Sequence, residues 1–470
     1  MSADVLVVGG GLGGVAAALA ALRAGRSVVL TEEFDWLGGQ LTSQAVPPDE
    51  HSWVEQFGVT ASYRALREGI RAYYRRHYPL TDAARRWTHL NPGAGGVSRL
   101  CHEPAVAKAV IEAMLLPYQS GGRLHILQPY RPVSADTDGD RVTAVTVAGN
   151  GHEVTITARY VIDATETGEL LPLTGTEYVT GFEAQEETGE PSAPQTAQPM
   201  NMQAVSVCFA IDHVDGDHTI DKPASYDFWR AYTPPFWGGP LLSFRSPSPR
   251  TLVIGERGFT PNPDDDPLRV RADQRRDPGD GNLWTFRRIA ARKLFREGAY
   301  ASDITLVNWP MIDYFESPVI DVPDAQHHLD NAKELSRSVL YWLQTDMGFK
   351  GLRLRGDVTG SADGLAQAPY IRESRRIKAE YTIVEQDLSH AVRGDKGSVA
   401  YHDSVGIGMY RIDLHPSTGG DTYIDVASSP FQIPLGALIP RRMENLLPAS
   451  KNLGTTHITN GCYRLHPVEW

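Results

Sequence analysis

Cysteine is scarce in this chain, since only Cys101, Cys208 and Cys462 occur among 470 residues. No two of them lie close in sequence, which argues against a disulfide framework and against a zinc site built on cysteine pairs. The sequence also lacks an apolar run of the roughly 18–20 residues that a bilayer span requires. No basic residue precedes the short apolar stretch at 15–22, so it does not match a secretory signal. We therefore expect a protein of the reducing cytoplasm with no membrane partner.

Positive charge is also in deficit, because 45 Lys and Arg stand against 57 Asp and Glu and the net charge is −12. Such a chain is repelled by nucleic acids and by anionic lipids, so we expect neither as a partner. No metal site is predicted: His327 and His328 are adjacent, so their side chains diverge, and no His-x-x-x-His accompanies them. A G-x-S-x-G elbow and a Walker lysine are missing as well.

Strand, glycine turn, helix and strand follow one another at the start of the chain. Residues 4–8 form a β-branched apolar run typical of a buried parallel strand, and 9–14 read GGGLGG. The Ala- and Leu-rich stretch 15–24 predicts a helix, and 27–31 predicts a second strand. This order is the full context of a dinucleotide-binding βαβ unit. The alternative is a glycine-rich turn in a plain α/β sheet.

The G-x-G-x-x-G pattern falls on Gly9, Gly11 and Gly14. The first glycine allows a tight turn, the second lets the backbone approach a pyrophosphate, and the third lets the helix pack on the strand. Glu32 follows the second strand, where a carboxylate can accept both hydrogen bonds of a ribose diol. FAD and NAD share this fingerprint, so it leaves the choice of cofactor open.

A glycine doublet, Gly38-Gly39, follows the second strand and lets a second loop run beside an extended ligand such as FAD. Here the sequence resembles the glutathione-reductase-like FAD superfamily, whose members carry both features in this order. Alternating residues over 141–147 and 152–157 predict a hairpin before an apolar strand that ends in DATETG. The superfamily has Ala-Thr-Gly at this place, and Glu166 stands where its glycine is expected.

The end of the chain extends the resemblance. The stretch LLPASKNLG at 446–454 has the shape of the superfamily's last cofactor strand, with Ser450-Lys451-Asn452 where an acid is common. Together with IDATETGELLPL and the terminal NGCYRLHPVEW, the pattern is similar to the broad FAD-dependent oxidoreductase family over most of the chain. In that family the HPVEW-like stretch leads into a helix whose N-terminus points at the flavin pyrimidine ring.

The resemblance implies an α/β fold with two domains. One is a discontinuous Rossmann-like FAD-binding domain, a parallel sheet with a β-meander, at 1–45, 98–171 and 435–470. Residues 46–97 are expected to be an inserted helical segment, and 172–434 a mixed α+β substrate domain. The cofactor residues that the resemblance implies are Gly9, Gly11, Leu12, Gly13, Gly14, Glu32, Glu33, Gly38, Gly39, Gln40, Leu41, Val133, Ala164, Thr165, Asn452 and Leu453.

Residues 172–434 contain no second G-x-G-x-x-G, so no separate NAD(P) domain is predicted. The electron acceptor is then oxygen or a redox partner. Our hypothesis is an oxidase or dehydrogenase that moves a hydride from a small polar organic substrate to FAD. One alternative is a flavin monooxygenase supplied with external NAD(P)H. Another is a non-catalytic or tRNA-associated flavin-fold protein, which the net charge disfavours.

Arg372 and Arg376 lie four residues apart in PYIRESRRI at 369–377, which predicts the start of a helix. Arg372 can bind a substrate carboxylate with both arms of its guanidinium, or join an ion-pair network with neighbouring acids. Both interpretations stay open, and the resemblance places this segment near the flavin.

Proton transfer calls for a histidine. The resemblance places His457 and His466 beside the flavin, and His102 precedes a predicted helix. For each of them a structural imidazole is the alternative.

Other parts of residues 172–434 give coarser predictions. A helix at 283–298 carries Arg287 and four further basic residues, interpreted as a solvated face. A second helix is predicted at 330–347, strands at 204–211 and 251–256, and proline-rich loops at 188–199 and 260–278.

Overall fold

A computed structural model describes residues 1–269 and 281–470. The end of the loop predicted at 260–278 lies outside these residues. The helices are α1 Leu12–Arg23, α2 Ala61–His77, α3 Asp82–Arg86, α4 Pro104–Ser120, α5 Leu170–Leu173, α6 Gln185–Thr188, α7 Tyr226–Ala231, α8 Leu283–Phe286, α9 Ala325–Thr345, α10 Gly356–Thr359, α11 His390–Arg393, α12 His457–Tyr463 and α13 His466–Glu469. In the part of the chain so described, no helix is both long and apolar enough to cross a membrane.

The strands are short apart from those of one sheet. They are β1 Ser2–Val8, β2 Val28–Thr31, β3 Leu124–Leu127, β4 Arg131–Asp138, β5 Arg141–Gly149, β6 His152–Asp163, β7 Tyr178–Val179, β8 Val205–Ser206, β9 Phe209–His213, β10 Arg245–Pro247, β11 Ile254–Glu256, β12 Arg288–Ala290, β13 Ile304–Val307, β14 Asp313–Tyr314, β15 Leu352–Leu354, β16 Arg376–Ile377, β17 Ser404–Gly408, β18 Ile412–Leu414, β19 Ile424–Val426, β20 Phe431–Pro434 and β21 Leu446–Pro448.

The main sheet has the order β3-β2-β1-β6-β5-β4, and β21 also pairs with β6. The pairs β1–β2, β2–β3, β1–β6 and β6–β21 are parallel, whereas β4, β5 and β6 form an antiparallel meander. The predicted parallel sheet with a β-meander is therefore confirmed. Its strands come from within 1–45, 98–171 and 435–470, and the division into domains stays a prediction.

Apolar side chains on both faces hold this sheet in place. Val7 and Leu30 face a core that includes α1 and α4, while Leu6 and Val29 face a second core shared with the meander. A strand that is covered on both sides reads as an uninterrupted apolar run, as residues 4–8 do. The helix–sheet contact also brings the glycine turn before α1 to the carboxyl end of β1, where ligands of such sheets bind.

A second, antiparallel sheet with the order β12-β13-β9-β15 lies among residues 172–434. The helix α9 confirms the one predicted at 330–347, and its buried face includes Leu335, Val339 and Leu343. The strand predicted at 204–211 is confirmed as two pieces, β8 and β9, and the one at 251–256 is shortened to β11.

Two helix predictions are wrong for the same reason, namely that tertiary contacts replace local propensity. The helix expected at 283–298 ends at Phe286, and the chain turns into β12, where Arg288 pairs with the buried Asp303 at 2.8 Å. The segment 369–377 is extended, and Tyr370 exchanges backbone hydrogen bonds with Ser206. In each segment a buried arginine pairs with an acid outside the segment, Arg288 with Asp303 and Arg372 with Asp313.

Candidate active site

The glycine turn between β1 and α1 is closely packed against two other segments. Gly9 has φ of +101°, and a Cβ there would lie 2.3 Å from the carbonyl oxygen of Ala164. A Cβ at Gly14 would lie 1.9 Å from the oxygen of Gly9, and one at Gly13 would lie 1.7 Å from that of Ala449. Real Cβ atoms do not approach so closely, so only glycine fits. The turn is thus completed by residues from the far end of the chain.

A cleft of about 390 Å³ lies in front of this turn. It is lined by Gly9, Gly11, Thr31, Glu32, Glu33, Phe34, Gly39, Ser43, Gln44, Tyr130, Pro132, Ala164, Thr165, Glu166 and Glu169. The lining joins the turn, the end of β2, the glycine doublet and the end of β6. These are the segments that the sequence assigns to a dinucleotide.

Glu32 is buried at the end of β2, with Oε2 accepting the N–H of Gly10 at 2.8 Å and Oε1 accepting that of Phe34 at 2.9 Å. Burial raises the pKa of Glu32 to about 8 despite these hydrogen bonds. Burial, followed by the charges of Glu169 and Glu166, also raises the pKa of Glu33 to about 7. Glu32 and Glu33 therefore bind protons near neutral pH, which limits the negative charge of the cleft.

Glu166, where the superfamily has glycine, points into the turn. A Cβ added to either Gly11 or Gly39 would lie 3.0 Å from Oε1 of Glu166. The Glu166 carboxylate also pairs with the fully buried ammonium of Lys451, which lies 3.1 Å from Oε1 of Glu469. These two carboxylates raise the pKa of Lys451, although burial acts against it, so Lys451 keeps its charge. Glu166 and Lys451, which both lie where the chain departs from the superfamily pattern, therefore form an ion pair with each other.

The glycine doublet bends the chain along the cleft, since Gly38 and Gly39 have φ of +111° and +50°. The next turn carries Gln40, whose Nε2 donates to the backbone oxygen of Arg464 at 2.9 Å and to Glu469 at 2.7 Å. Gln44 lines the cleft, and neither of its buried side-chain polar atoms has a hydrogen-bond partner among the described residues. Buried amides of this kind call for a polar ligand.

The remaining predicted cofactor residues divide into two groups. Leu12, Gly13, Leu41, Ala164, Thr165 and Asn452 lie on or beside the segments that line the cleft, and Asn452 donates to the backbone oxygen of Asp163 at 3.0 Å. Leu453 is buried in a core cluster with Ile383 and Ile458. Val133 lies at a bulge in β4, 37% exposed, and the neighbouring Pro132 lines the cleft. Asp163 caps this region by accepting the N–H and hydroxyl of Thr165.

A second, larger cavity has residues from Asp49 onward in its wall, and its space of about 1830 Å³ includes open solvent at its mouth. It is lined by Asp49, Glu50, His51, Ser52, Trp53, Gly96, Val97, Ser98, Arg99, Pro249, Arg250, Arg257, Leu283, Phe286, Arg287, Asn308, Trp309, Pro310, Met409, Tyr410, Arg411, Asp413, His415, Tyr423, Asp425 and Ser428. Arginines, acids and aromatic rings share its wall. The chain segment 39–53 therefore connects the glycine cleft to this larger cavity.

Arg287 lies in the wall of this cavity with a side chain only 11% exposed. Its Nε and Nη1 have no hydrogen-bond partner in the ranges 1–269 and 281–470, and the closest carboxylate oxygen, on Asp49, is 3.6 Å away. The interpretation of Arg287 as part of a solvated face is therefore wrong. Arg287 directly follows α8. Because that helix ends after a single turn, the Arg287 side chain faces inward.

His415 lines the same cavity and its Nδ1 lies 2.6 Å from Oδ2 of Asp313. The other oxygen of Asp313 accepts from Arg372 at 2.9 Å and from the hydroxyl of Ser206 at 2.6 Å. Although burial acts to raise it, Arg372 and His415 lower the pKa of Asp313 to about 2. Asp313, which is charged at neutral pH, therefore fixes the imidazole of His415.

The arginine and histidines singled out from the sequence occupy different surroundings. Arg372 is 1% exposed and bound to Asp313, Ser206 and the backbone oxygen of Ala204, which is the ion-pair arrangement of the two considered. His457 is also buried, with Nδ1 bonded to Glu373 and its ring stacked on Phe182.

His466 and His102 are buried imidazoles as well. Nδ1 of His466 accepts the N–H of Asp49 at 3.1 Å, and that of His102 contacts the backbone oxygen of Glu103 at 3.0 Å. Burial lowers the pKa of His466 to about 3 and that of His102 to about 4. Both are neutral at pH 7. Of the four catalytic candidates, only His466 bonds a residue of the cavity wall.

Sequence reasoning missed Arg287, His415 and Asp313 as site residues. The signal for each was too weak to find, because the acids and histidines that meet here come from segments more than a hundred residues apart. In the described residues no cluster of three or more His, Cys, Asp or Glu is suited to a metal ion.

Comparisons with solved structures find flavoprotein enzymes at low similarity. The anhydrotetracycline hydroxylase of Streptomyces rimosus is 14% identical, with a TM-score of 0.29 and 47% of this chain and 39% of that chain covered. The p-nitrophenol 4-monooxygenase of Pseudomonas putida is 15% identical, with a TM-score of 0.27 and coverages of 44% and 47%. The L-proline dehydrogenase of P. horikoshii is 17% identical, with a TM-score of 0.20 and coverages of 39% and 25%.

The matched part spans less than half the length of each of these three chains, and at such TM-scores the similarities carry no argument about the reaction. No curated protein matches the chain. The family model described as FAD dependent oxidoreductase matches residues 4–470, nearly the whole sequence. The glycine turn, the doublet and the unpartnered Gln44 are the parts that fit its cofactor, FAD. The chain is therefore an enzyme that belongs to the FAD-dependent oxidoreductase family.

Proposed function

We propose that this enzyme oxidises a small polar organic substrate by hydride transfer to FAD, and that the 1830 Å³ cavity is the substrate site. The observation that carries the proposal is the chain segment that lines both spaces. Gln44 lines the glycine cleft and Asp49 lines the cavity, so one short segment contacts both the cofactor site and the substrate site. Pockets of this kind, with a few polar groups among aromatic rings, are typical of small-molecule sites.

FAD, when bound, supplies an acceptor for a hydride. The residues proposed to hold it are those of the glycine turn, the doublet with Gln40 and Leu41, Glu32 and Glu33, Ala164 and Thr165, Val133, and Asn452 and Leu453. Lys451 contributes the buried positive charge next to the turn. His466, bonded through Nδ1 to the N–H of Asp49, carries its remaining proton on Nε2 in the neutral form. It is therefore proposed as a hydrogen-bond donor at the inner end of the cavity.

The electron acceptor that reoxidises the flavin is proposed to be oxygen or a redox partner, since one glycine fingerprint serves one dinucleotide. The domain division, with 172–434 as substrate domain, belongs to the same proposal. Arg372, His457 and His102, being buried in hydrogen-bonded positions, are proposed to support the site from behind its wall.

An anaerobic spectroscopic screen tests the proposal. The purified flavoenzyme is mixed with alcohols, amines and organic acids, and reduction is followed as loss of the flavin's visible absorbance. We expect at least one class to bleach the flavin without NAD(P)H. Bleaching by NADPH alone, with turnover only in oxygen, would instead support a monooxygenase. RNA that co-purifies with a redox-silent flavin would point to the tRNA-associated class.

A further inference from the structure

The chemistry of the cavity wall narrows the substrate further. We propose that the cavity binds a hydroxylated carboxylic acid, with Arg287 anchoring the carboxylate and Nε2 of His415 accepting the proton of the hydroxyl that is oxidised. This inference rests on the proposed function. It adds a substrate class and two residues that the sequence did not identify.

The argument for a carboxylate begins with the hydrogen bonds that Arg287 does not make. A guanidinium has five N–H donors, and burying it without acceptors is unfavourable. Nε and Nη1 of Arg287 lack partners among the described residues, and Asp49 at 3.6 Å is too distant for a hydrogen bond. A carboxylate offers two acceptor oxygens in the planar geometry that matches a guanidinium fork. The side chain is thus preorganised for an anionic ligand.

Charge within the cavity favours an anion as well. Arginines contribute five side chains to the wall, and acids contribute four. One of these acids, Glu50, is bound by Arg67 behind the wall at 2.8 Å, and another, Asp425, is paired with Arg411. The acids left to face a ligand are Asp49 and Asp413, which suit hydroxyl groups. Arg287, whose nearest carboxylate oxygen is 3.6 Å away, is the arginine of the wall that a ligand carboxylate would complement.

The tautomer of His415 makes it a proton acceptor. Asp313 is ionised and can only accept, so Nδ1 of His415 carries a hydrogen and Nε2 carries a lone pair. The other groups that face this imidazole are Arg372, Asp413 and the ring of Tyr423. Burial, and next the Arg372 cation, lower the pKa of His415, and the two aspartates oppose them. The ring is therefore neutral at pH 7 and able to take a proton, in contrast to His466.

The reaction balances with these parts. The hydroxyl proton goes to Nε2 of His415, the C–H hydrogen leaves with both electrons of its bond to the oxidant FAD, and a carbonyl replaces the alcohol. The product is an oxo acid, and the proton on His415 passes to solvent. Arg372 is then a positioning residue, because it holds Asp313 and touches the substrate at no point.

Matched substrates provide the first test. D-gluconate and D-glucitol differ in a carboxylate at one end, as do D-glycerate and glycerol, and each pair is compared by anaerobic flavin reduction. We expect the acids to be faster by about tenfold or more, with D-gluconate the better acid because its additional hydroxyl groups can bond Asp49 and Asp413. Equal rates for acid and neutral partner, or faster amines, would overturn this inference alone. If none of the tested classes reduces the flavin, the proposed function itself fails.

Substitution of Arg287 provides the second test. R287K retains the charge without the planar fork, R287Q loses both, and R292Q is the control because Arg292 is a partly exposed arginine nearby. We expect R287Q to raise KM for the acid about a hundredfold and to remove the preference over the neutral partner, with R287K in between. FAD content and thermal unfolding report on folding. Well-folded R287K and R287Q with unchanged KM would exclude the anchor.

Substitution of His415 provides the third test. H415Q is expected to lower kcat by about 10²–10⁴, the usual contribution of a general base. It should also remove the acid limb of the kcat/KM profile, which wild type shows where His415 becomes protonated. D313N and R372K are expected to shift that limb, whereas H390Q, on the exposed α11, leaves it unchanged. If H415Q kept the wild-type acid limb and rate, the assignment of His415 as proton acceptor would be wrong. If H466Q removed the acid limb instead, His466 would be the proton acceptor.

Discussion

The glycine cleft is lined mainly by backbone, whereas the large cavity is lined mainly by side chains. The cleft is formed by the backbone of short motifs, and its charged side chains are mostly carboxyl groups, with Lys451 as the buried cation beside the turn. The cavity is formed by side chains from many distant segments, and its wall holds five arginines beside four acids. A site that binds through its backbone tolerates almost no change in shape. The ligand that a side-chain site binds depends on which distant residues the fold brings together.

The largest expected effect on this comparison is that of a substitution in the glycine turn before α1. We expect Gly13→Val to abolish FAD binding and to lower folded yield, because even a Cβ at this position would lie 1.7 Å from the oxygen of Ala449. Gly255→Ala is the control, since a Cβ there meets nothing within 4 Å. Flavin content after purification and thermal unfolding are the measurements. Normal flavin loading in Gly13→Val would show that the backbone contact is not required.

The next effect concerns the wall of the cavity. Arg372→Met leaves Asp313 buried without its main cation, and we expect the free energy of unfolding to fall by about 3–5 kcal/mol. Arg230→Met is the matched control, because Arg230 pairs with Asp346 at the surface, where such pairs contribute about 0–1 kcal/mol. Urea unfolding of both variants checks the difference. Equal losses would contradict a buried role for Arg372.

A smaller effect separates the two regions by pH. The pKa of Asp313 falls to about 2 on folding, so its stabilisation is complete above pH 4 and is lost as the pH drops towards 2. Glu32 and Glu33 have raised pKa values of about 8 and 7, so their contribution is complete below pH 4 and is lost as the pH rises through 7 and 8. Acid should therefore unfold the cavity wall, and mild alkali should loosen the cleft. Unfolding scans of wild type, D313N and E33Q between pH 2 and 9 measure both slopes.

The same acids predict the smallest effect, on cofactor affinity. FAD brings a charged pyrophosphate to the cleft, so we expect its Kd to rise several-fold from pH 6 to pH 8.5. Glu166→Gln should tighten binding several-fold, because it removes the carboxylate in front of Gly11 and Gly39 and frees Lys451. Flavin fluorescence titration of the apoprotein gives both constants. Weaker binding by Glu166→Gln would mean that Glu166 serves the fold instead.

The comparison also explains which parts could be predicted from the sequence. The βαβ unit, the doublet and the meander depend on local conformation, such as the left-handed φ of Gly9 and Gly38. Neighbouring residues determine such conformations, so the sequence predicts these parts directly. The helix expected around Arg372 fails because Asp313 and Ser206, both remote in sequence, pull the segment into an extended form. His415 carries no motif, and its importance comes from one aspartate about a hundred residues earlier.

The contact between Gly13 and Ala449 has a consequence for how the enzyme is made. The turn before α1 packs against a residue 436 positions later in the chain, and the buried Lys451 lies two residues beyond that contact. β1 and α1 can form from contiguous residues, yet the flavin pocket stays open until the segment 446–454 has been synthesised and packed against them. Cofactor loading then waits for that segment, and deleting 446–454 would yield a colourless polypeptide in which β1 and α1 can still form.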